Sequence, residues 1–150
     1  MSDDSDDIRC MLIPVRQGRL LLPSSAVAEV IGYRTPDPVA DRPAWLQGMV
    51  SWHQREVPVV DFEHLIGRTD NRVGIRQRIA VCYGIGQHVK WPLVGIVAQG
   101  IPRLLRVGED AIQIASGAQA GEEAVRMMTS IAGENLLVPD LEYLQGCLAA

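Results

Sequence analysis

Apolar residues in this chain come in short runs, and glycine, proline and polar clusters break them at close intervals. Residues 10–15 and 19–22 are two such runs separated by Gln17-Gly18, which predicts a hairpin. Pro23-Ser24-Ser25 interrupts the pattern and predicts a helical turn through residues 26–29. Val27-Ala28-Glu29-Val30-Ile31 then continues apolar with one acid inserted. Residues 34–44 hold Pro36, Pro38 and Pro43 and read as an irregular connector that Trp45 and Leu46 close. Residues 49–52 and 57–60 are β-prone runs on either side of a break at His53-Gln54. Pro58 has no N–H, which predicts an edge strand or a bulge. Asp61 is a good helix N-cap, Phe62, Leu65 and Ile66 share one helical face, and Gly67 is placed to stop the helix.

Residues 68–78 are polar and read as a loop. Residues 79–83 and 93–98 are strands joined by the turn Gly84-Ile85-Gly86-Gln87-His88, and 101–107 is a further strand with Pro102 at an edge. Residues 109–115 carry no clear pattern, and 116–123 are small and polar, as in a mobile loop. Residues 125–131 and 136–138 are strands, and 140–148 is a helix with Leu141, Leu144 and Leu148 on one face. Many short strands, and no long amphipathic helix before residue 140, predict small β-barrels rather than a parallel α/β sheet.

One stretch recurs. Residues 48–67 lie over 127–146 without a gap, pairing Met49 with Met128, Ser51 with Ser130, Val59 with Val138 and Asp61 with Asp140. Glu63 then meets Glu142, Leu65 meets Leu144 and Gly67 meets Gly146, seven identities in 20 positions. The match predicts two similar β units, each closed by a short helix capped by Asp61 or Asp140.

Composition narrows the function classes. The chain has 150 residues and is 47% hydrophobic but only 5% aromatic, so its core is aliphatic. A net charge of −4 does not attract polyanions, which argues against a nucleic-acid partner. No apolar run approaches a membrane span, so no direct membrane insertion is expected. Residues 1–9 read as a disordered acidic tail built on Ser2-Asp3-Asp4-Ser5-Asp6-Asp7, and 10–150 as a single domain. Cys10, Cys82 and Cys147 are too widely spaced for zinc or redox chemistry and read as reduced thiols of a cytoplasmic protein.

The search for chemistry returns little. His53, His64 and His88 have no metal-ligand spacing, the Gly84-x-Gly86 pair lacks a third glycine and a following helix, and no nucleophile motif is present. The expectation is no catalytic residue, no metal and no cofactor. Asp61 is explained by capping, and the recurrence of Glu63 as Glu142 favours a structural or surface role. What remains is a protein-binding surface at Trp52-His53-Gln54-Arg55, because Trp and Arg are enriched at interface hot spots and flank an exposed turn.

These residues also carry a family likeness. Gly48-x-Val50-x-Trp52, followed by Val57-Pro58-Val59-Val60-Asp61, resembles the hallmark of CheW-like domains, the bacterial chemotaxis coupling proteins. Val27-Ala28-Glu29-Val30, Pro43-Ala44-Trp45-Leu46-Gln47-Gly48 and Val94-Gly95-Ile96-Val97-Ala98 resemble three further family stretches in order and spacing. The resemblance implies a mainly β fold of two small five-stranded SH3-like β-barrel subdomains packed over a shared apolar core. It implies a non-enzymatic adaptor that couples the cytoplasmic tip of a methyl-accepting chemoreceptor to the regulatory domain of a CheA-type histidine kinase, in chemotaxis or in pilus-driven surface motility. The residues it points to for protein binding are Val27, Glu29, Val30, Gly48, Trp52, His53, Gln54, Arg55 and Gly95.

Two positions depart from the family. Its Arg-Gly at the central turn is His53-Gln54 here, and its Asp after the Val-Gly-Ile-Val strand is Gln99. The first loses a permanent charge and a permissive glycine, which predicts a wider hairpin. Two other readings stay open: a CheW-like protein that binds receptors or other adaptors without kinase coupling, and an unrelated small β-barrel enzyme or ligand binder.

Overall fold

A computed structural model describes residues 7–68, 73–84, 91–108, 113–114, 125–131 and 134–149. The turn at 85–88, the loop at 116–123 and most of 109–115 lie outside them, as do residues 1–6.

The fold is mainly β, with two sheets and few helices. The strands are β1 (Asp7–Val15), β2 (Gly18–Pro23), β3 (Val27–Gly32), β4 (Leu46–Trp52), β5 (Arg55–Val60), β6 (Arg78–Tyr83), β7 (Leu93–Ala98), β8 (Arg103–Gly108), β9 (Gln113–Ile114), β10 (Val125–Ile131) and β11 (Glu134–Pro139). The helices are α1 (Phe62–Leu65) and α2 (Leu141–Ala149). One sheet runs β3-β6-β7-β5-β4 and the other β8-β1-β2-β11-β10-β9. The first five strands of the second sheet repeat the pairing pattern of the first. In both, the single parallel contact, β7 with β5 or β2 with β11, sits between antiparallel pairs. The two-residue β9 makes the second sheet six-stranded rather than five.

The internal match is structural. β4, β5 and α1 have their counterparts, 79 positions on, in β10, β11 and the start of α2. The bulge between Leu46 and Gly48 recurs between Val125 and Met127. Asp61 Oδ1 accepts from His64 N at 3.2 Å and Asp140 Oδ1 from Tyr143 N at 3.0 Å, so each caps its helix as predicted. The copies diverge at the next acid: Glu63 is buried, Glu142 exposed.

Among the described residues, buried apolar side chains form three clusters. Val50, Val57, Val59, Ile79, Val81, Leu93 and Val97 occupy the first sheet unit. Cys10, Leu12, Leu21, Val107 and Leu136 occupy the second. Ile13, Leu20, Leu22, Phe62, Ala80, Ile96, Leu141 and Leu144 form the shared cluster between them. Alternating side chains along each strand supply the unit's own cluster on one face and the shared one on the other. This arrangement is consistent with two SH3-like barrel subdomains.

The units also clasp each other reciprocally. The β1–β2 turn of the second unit seats on the start of α1, where Glu63 accepts from Arg16 N at 2.7 Å and Gln17 N at 2.9 Å. The Arg16 guanidinium lies 3.0 Å from Asp61 and 3.4 Å from Glu63, with all three side chains nearly buried. On the other side, buried Gln145 of α2 donates to Trp91 O at 2.7 Å, just before β7 of the first unit.

Several local expectations need correction. The helical turn after Pro23 is a 3-10 turn at Ser24–Ala26, and residues 27–29 belong to β3 instead, because β3 pairs with β6 from Val27 onward. Asp7, Ile8 and Arg9 are strand rather than tail, since β8 offers them a partner from Gly108 to Arg106. The first hairpin turns at Arg16-Gln17, and Gly18, at φ +124°, already pairs with Val15. Pro58 sits in an interior strand. Met49, opposite it, spends its N–H and C=O on Asp37 at 2.8 Å each, so no β4–β5 ladder bond is due at Pro58. The parallel pairing to β7 starts only at Val59.

Candidate protein-binding site

β3 and β4 are the two edges of the first sheet, yet they meet. Trp52, at the end of β4, packs part of its ring on the sheet's own cluster and donates Nε1–H to Glu29 Oε1 on β3 at 2.8 Å. Exposed Arg34, just past β3, donates to Ser51 O at 2.7 Å. These two bonds draw the edges together and set one end of the unit.

The β4–β5 turn projects from that end. It is a tight two-residue turn, with Trp52 opposite Arg55, and not the wider hairpin expected. His53 and Gln54 both take positive φ, +47° and +65°, as a type I′ turn requires. The right-handed twist of the flanking strands favours this turn strongly enough to force two non-glycine residues into the left-handed region. Histidine tolerates that region better than most residues; glutamine has no such advantage. The His53 ring stands edge-on to Trp52, centroids 4.4 Å apart, and its Nε2 is 3.6 Å from the same Glu29 oxygen. His53 is 72% exposed and Glu29 49%, so the carboxylate that orders the turn is also open to a partner.

The structure therefore brings Glu29, Trp52, His53, Gln54 and Arg55 together on one exposed end. It does not bring the other four expected residues there. Val27 and Val30 pack part of their surface on the shared cluster. Gly48 and Gly95 are buried. A Cβ on Gly48 would lie 2.2 Å from Asp37 O, and its φ is +141°, so glycine lets the 34–44 connector pair against β4. Sequence reasoning missed Arg34, which has no local signal, and Arg16, whose only hint is the recurrent Glu63 that lacks a partner nearby in sequence.

Gln99, which departs from the family pattern, is a hydrogen-bond acceptor here. Its Oε1 accepts from Gly74 N at 2.8 Å and ties residues 73–78 to the end of β7. Among the described residues no three His, Cys, Asp or Glu side chains gather to hold a metal ion, and no helix is long and apolar enough to cross a membrane. Burial pushes the Cys82 thiol up to about 12 and Cys10 up as well, so both are held as neutral thiols.

The CheW-like domain family model matches residues 9–146. The chain belongs to the CheW-like domain family. Among solved structures it is similar to the scaffolding protein TtCheW from Thermoanaerobacter tengcongensis, with a TM-score of 0.77 over 92% of each chain at 15% identity. At that identity the likeness speaks for the fold. Among curated proteins, none matches this chain by sequence. The family match spans both sheet units.

Proposed function

We propose that this CheW-like protein is a non-enzymatic cytoplasmic adaptor that couples a chemoreceptor's cytoplasmic tip to the regulatory domain of a CheA-type histidine kinase, in chemotaxis or in pilus-driven surface motility. The observation that carries the reading is the exposed end at Glu29, Trp52 and His53. A half-buried tryptophan, pinned by a carboxylate that is itself open to solvent, is a preorganised contact point of the kind that anchors protein interfaces. TtCheW, a scaffolding protein of the same fold, supports the adaptor class.

A second reading, binding to receptors or other adaptors without kinase contact, is favoured by the His53-Gln54 turn. It offers no permanent charge where the family has arginine. One experiment addresses both: mix the protein with a receptor cytoplasmic fragment and the regulatory domain of a CheA-type kinase from the same genome, and measure co-assembly by size-exclusion chromatography. The adaptor reading expects a three-component peak that forms only with this protein present. A receptor complex that never recruits kinase selects the second reading, and no complex at all contradicts both.

A further inference from the structure

The Trp52 end carries more cation than anion. The charged residues of β3, β4, β5 and the Tyr33-Arg34 step beyond β3 are Glu29, Arg34, Arg55 and Glu56. Arg55 lies opposite Trp52 and Glu56 opposite Ser51, so strand alternation puts Arg55 on the Trp52 face and Glu56 on the other. Arg34 reaches the seam between the sheet edges and donates to a backbone oxygen, Ser51 O. Both arginines are exposed, and among the described residues neither is in an ion pair. Glu29 is the acid on this face, and its Oε1 is already engaged by Trp52 Nε1–H at 2.8 Å, with His53 Nε2 at 3.6 Å.

Two arginines against one carboxylate leave this end a single positive charge while His53 is neutral, and two once His53 is protonated. The His53 ring is 72% exposed, so protons reach it without any opening of the fold. Its edge contact with Trp52 holds it beside the point where a partner would meet the indole. Histidine changes charge between about pH 5 and pH 8, a range in which surface carboxylates of a partner stay ionised. A protonated His53 would offset Glu29 and leave Arg34 and Arg55 to face those carboxylates unopposed. Building on the adaptor reading, we propose that the Trp52 end takes a carboxylate-bearing surface of its partner and that protonation of His53 tightens the contact, so that coupling strengthens as pH falls.

The test titrates the regulatory domain of a CheA-type kinase from the same genome into the full chain by calorimetry, at about pH 5.5 and about pH 8. Wild type should bind about threefold to fivefold more tightly at the lower pH, the scale of one exposed ion pair. His53→Asn keeps a residue that tolerates the left-handed turn but cannot titrate, and its two Kd values should agree. His53→Arg carries a permanent charge, so it should bind at the higher pH at least as tightly as wild type binds at the lower one, with no pH step of its own. Circular dichroism at both pH values checks that each protein is folded. Equal wild-type affinities, tighter binding at the higher pH, or the same pH step in His53→Asn overturns the proposal while leaving the adaptor reading in place. No binding by wild type at either pH contradicts the adaptor reading, and this proposal falls with it.

Discussion

Replacing Arg16 by alanine tests the clasp between the two sheet units. Arg16 Nη2 lies 3.0 Å from Asp61 Oδ2 and Nη1 lies 3.4 Å from Glu63 Oε1, with side-chain exposures of 8%, 7% and 3% for Arg16, Asp61 and Glu63. Truncation would leave two carboxylates buried without their cation. Removing one partner of a buried ion pair typically costs about 3–5 kcal/mol. Part of the set survives: Glu63 still accepts from the Arg16 and Gln17 backbone amides, Arg68 stays 3.9 Å away, and Asp61 still caps His64 N. These remaining bonds place the expected loss at the lower end, about 3 kcal/mol. Urea denaturation should show it as a lower midpoint with an unchanged slope. Adding Asp61→Asn and Glu63→Gln to Arg16→Ala should then cost less than the sum of the separate changes, because the uncompensated charges are gone. A loss below about 1 kcal/mol, the value of a surface pair, would refute the claim that this cluster is a buried clasp.

Three further outcomes follow from the geometry. Gly95→Val should destabilise by about 1–3 kcal/mol in a thermal melt, since its Cβ would lie 2.9 Å from Cγ2 of buried Ile79; an identical melt would mean that Ile79 moves freely. Gln54→Gly should stabilise by about 0.5–1 kcal/mol in urea, the relief of the left-handed backbone less glycine's own entropy cost; a loss would show the turn is not under strain. Cys82, buried with its thiol raised from 9.0 to about 12, keeps a proton that the unfolded chain releases. Stability should therefore fall as pH rises above 9, by up to about 1.4 kcal/mol per unit, and Cys82→Ala should remove that part of the slope.

The strands were legible because their runs are short, β-branched and bounded by turn residues, and the recurrence of 48–67 located both helix caps. Two misplaced details share an origin, pairing with residues distant in sequence. Asp7, Ile8 and Arg9 look like a solvated tail until β8 lies beside them, and Pro58 looks like an edge residue until Asp37 takes the bonds of Met49. The turn at His53-Gln54 was misjudged because strand twist outweighed residue preference. At the site, Trp52, His53, Gln54 and Arg55 were visible as one exposed turn. The likeness to the family marked Glu29, but only the meeting of two sheet edges puts it against Trp52. Gly48 and Gly95 were marked by the same likeness; a side chain at Gly48 would meet the Asp37 backbone and one at Gly95 the Ile79 side chain.

The adaptor reading rests most directly on the Glu29–Trp52–His53 end. Titration calorimetry of the regulatory domain of a CheA-type kinase from the same genome into wild type, Glu29→Ala and His53→Ala decides it. The account predicts measurable binding by wild type and at least about a tenfold loss in each variant, or 1.4 kcal/mol, with all three proteins folded by circular dichroism. Equal affinities across the three, or no binding by wild type, would contradict it.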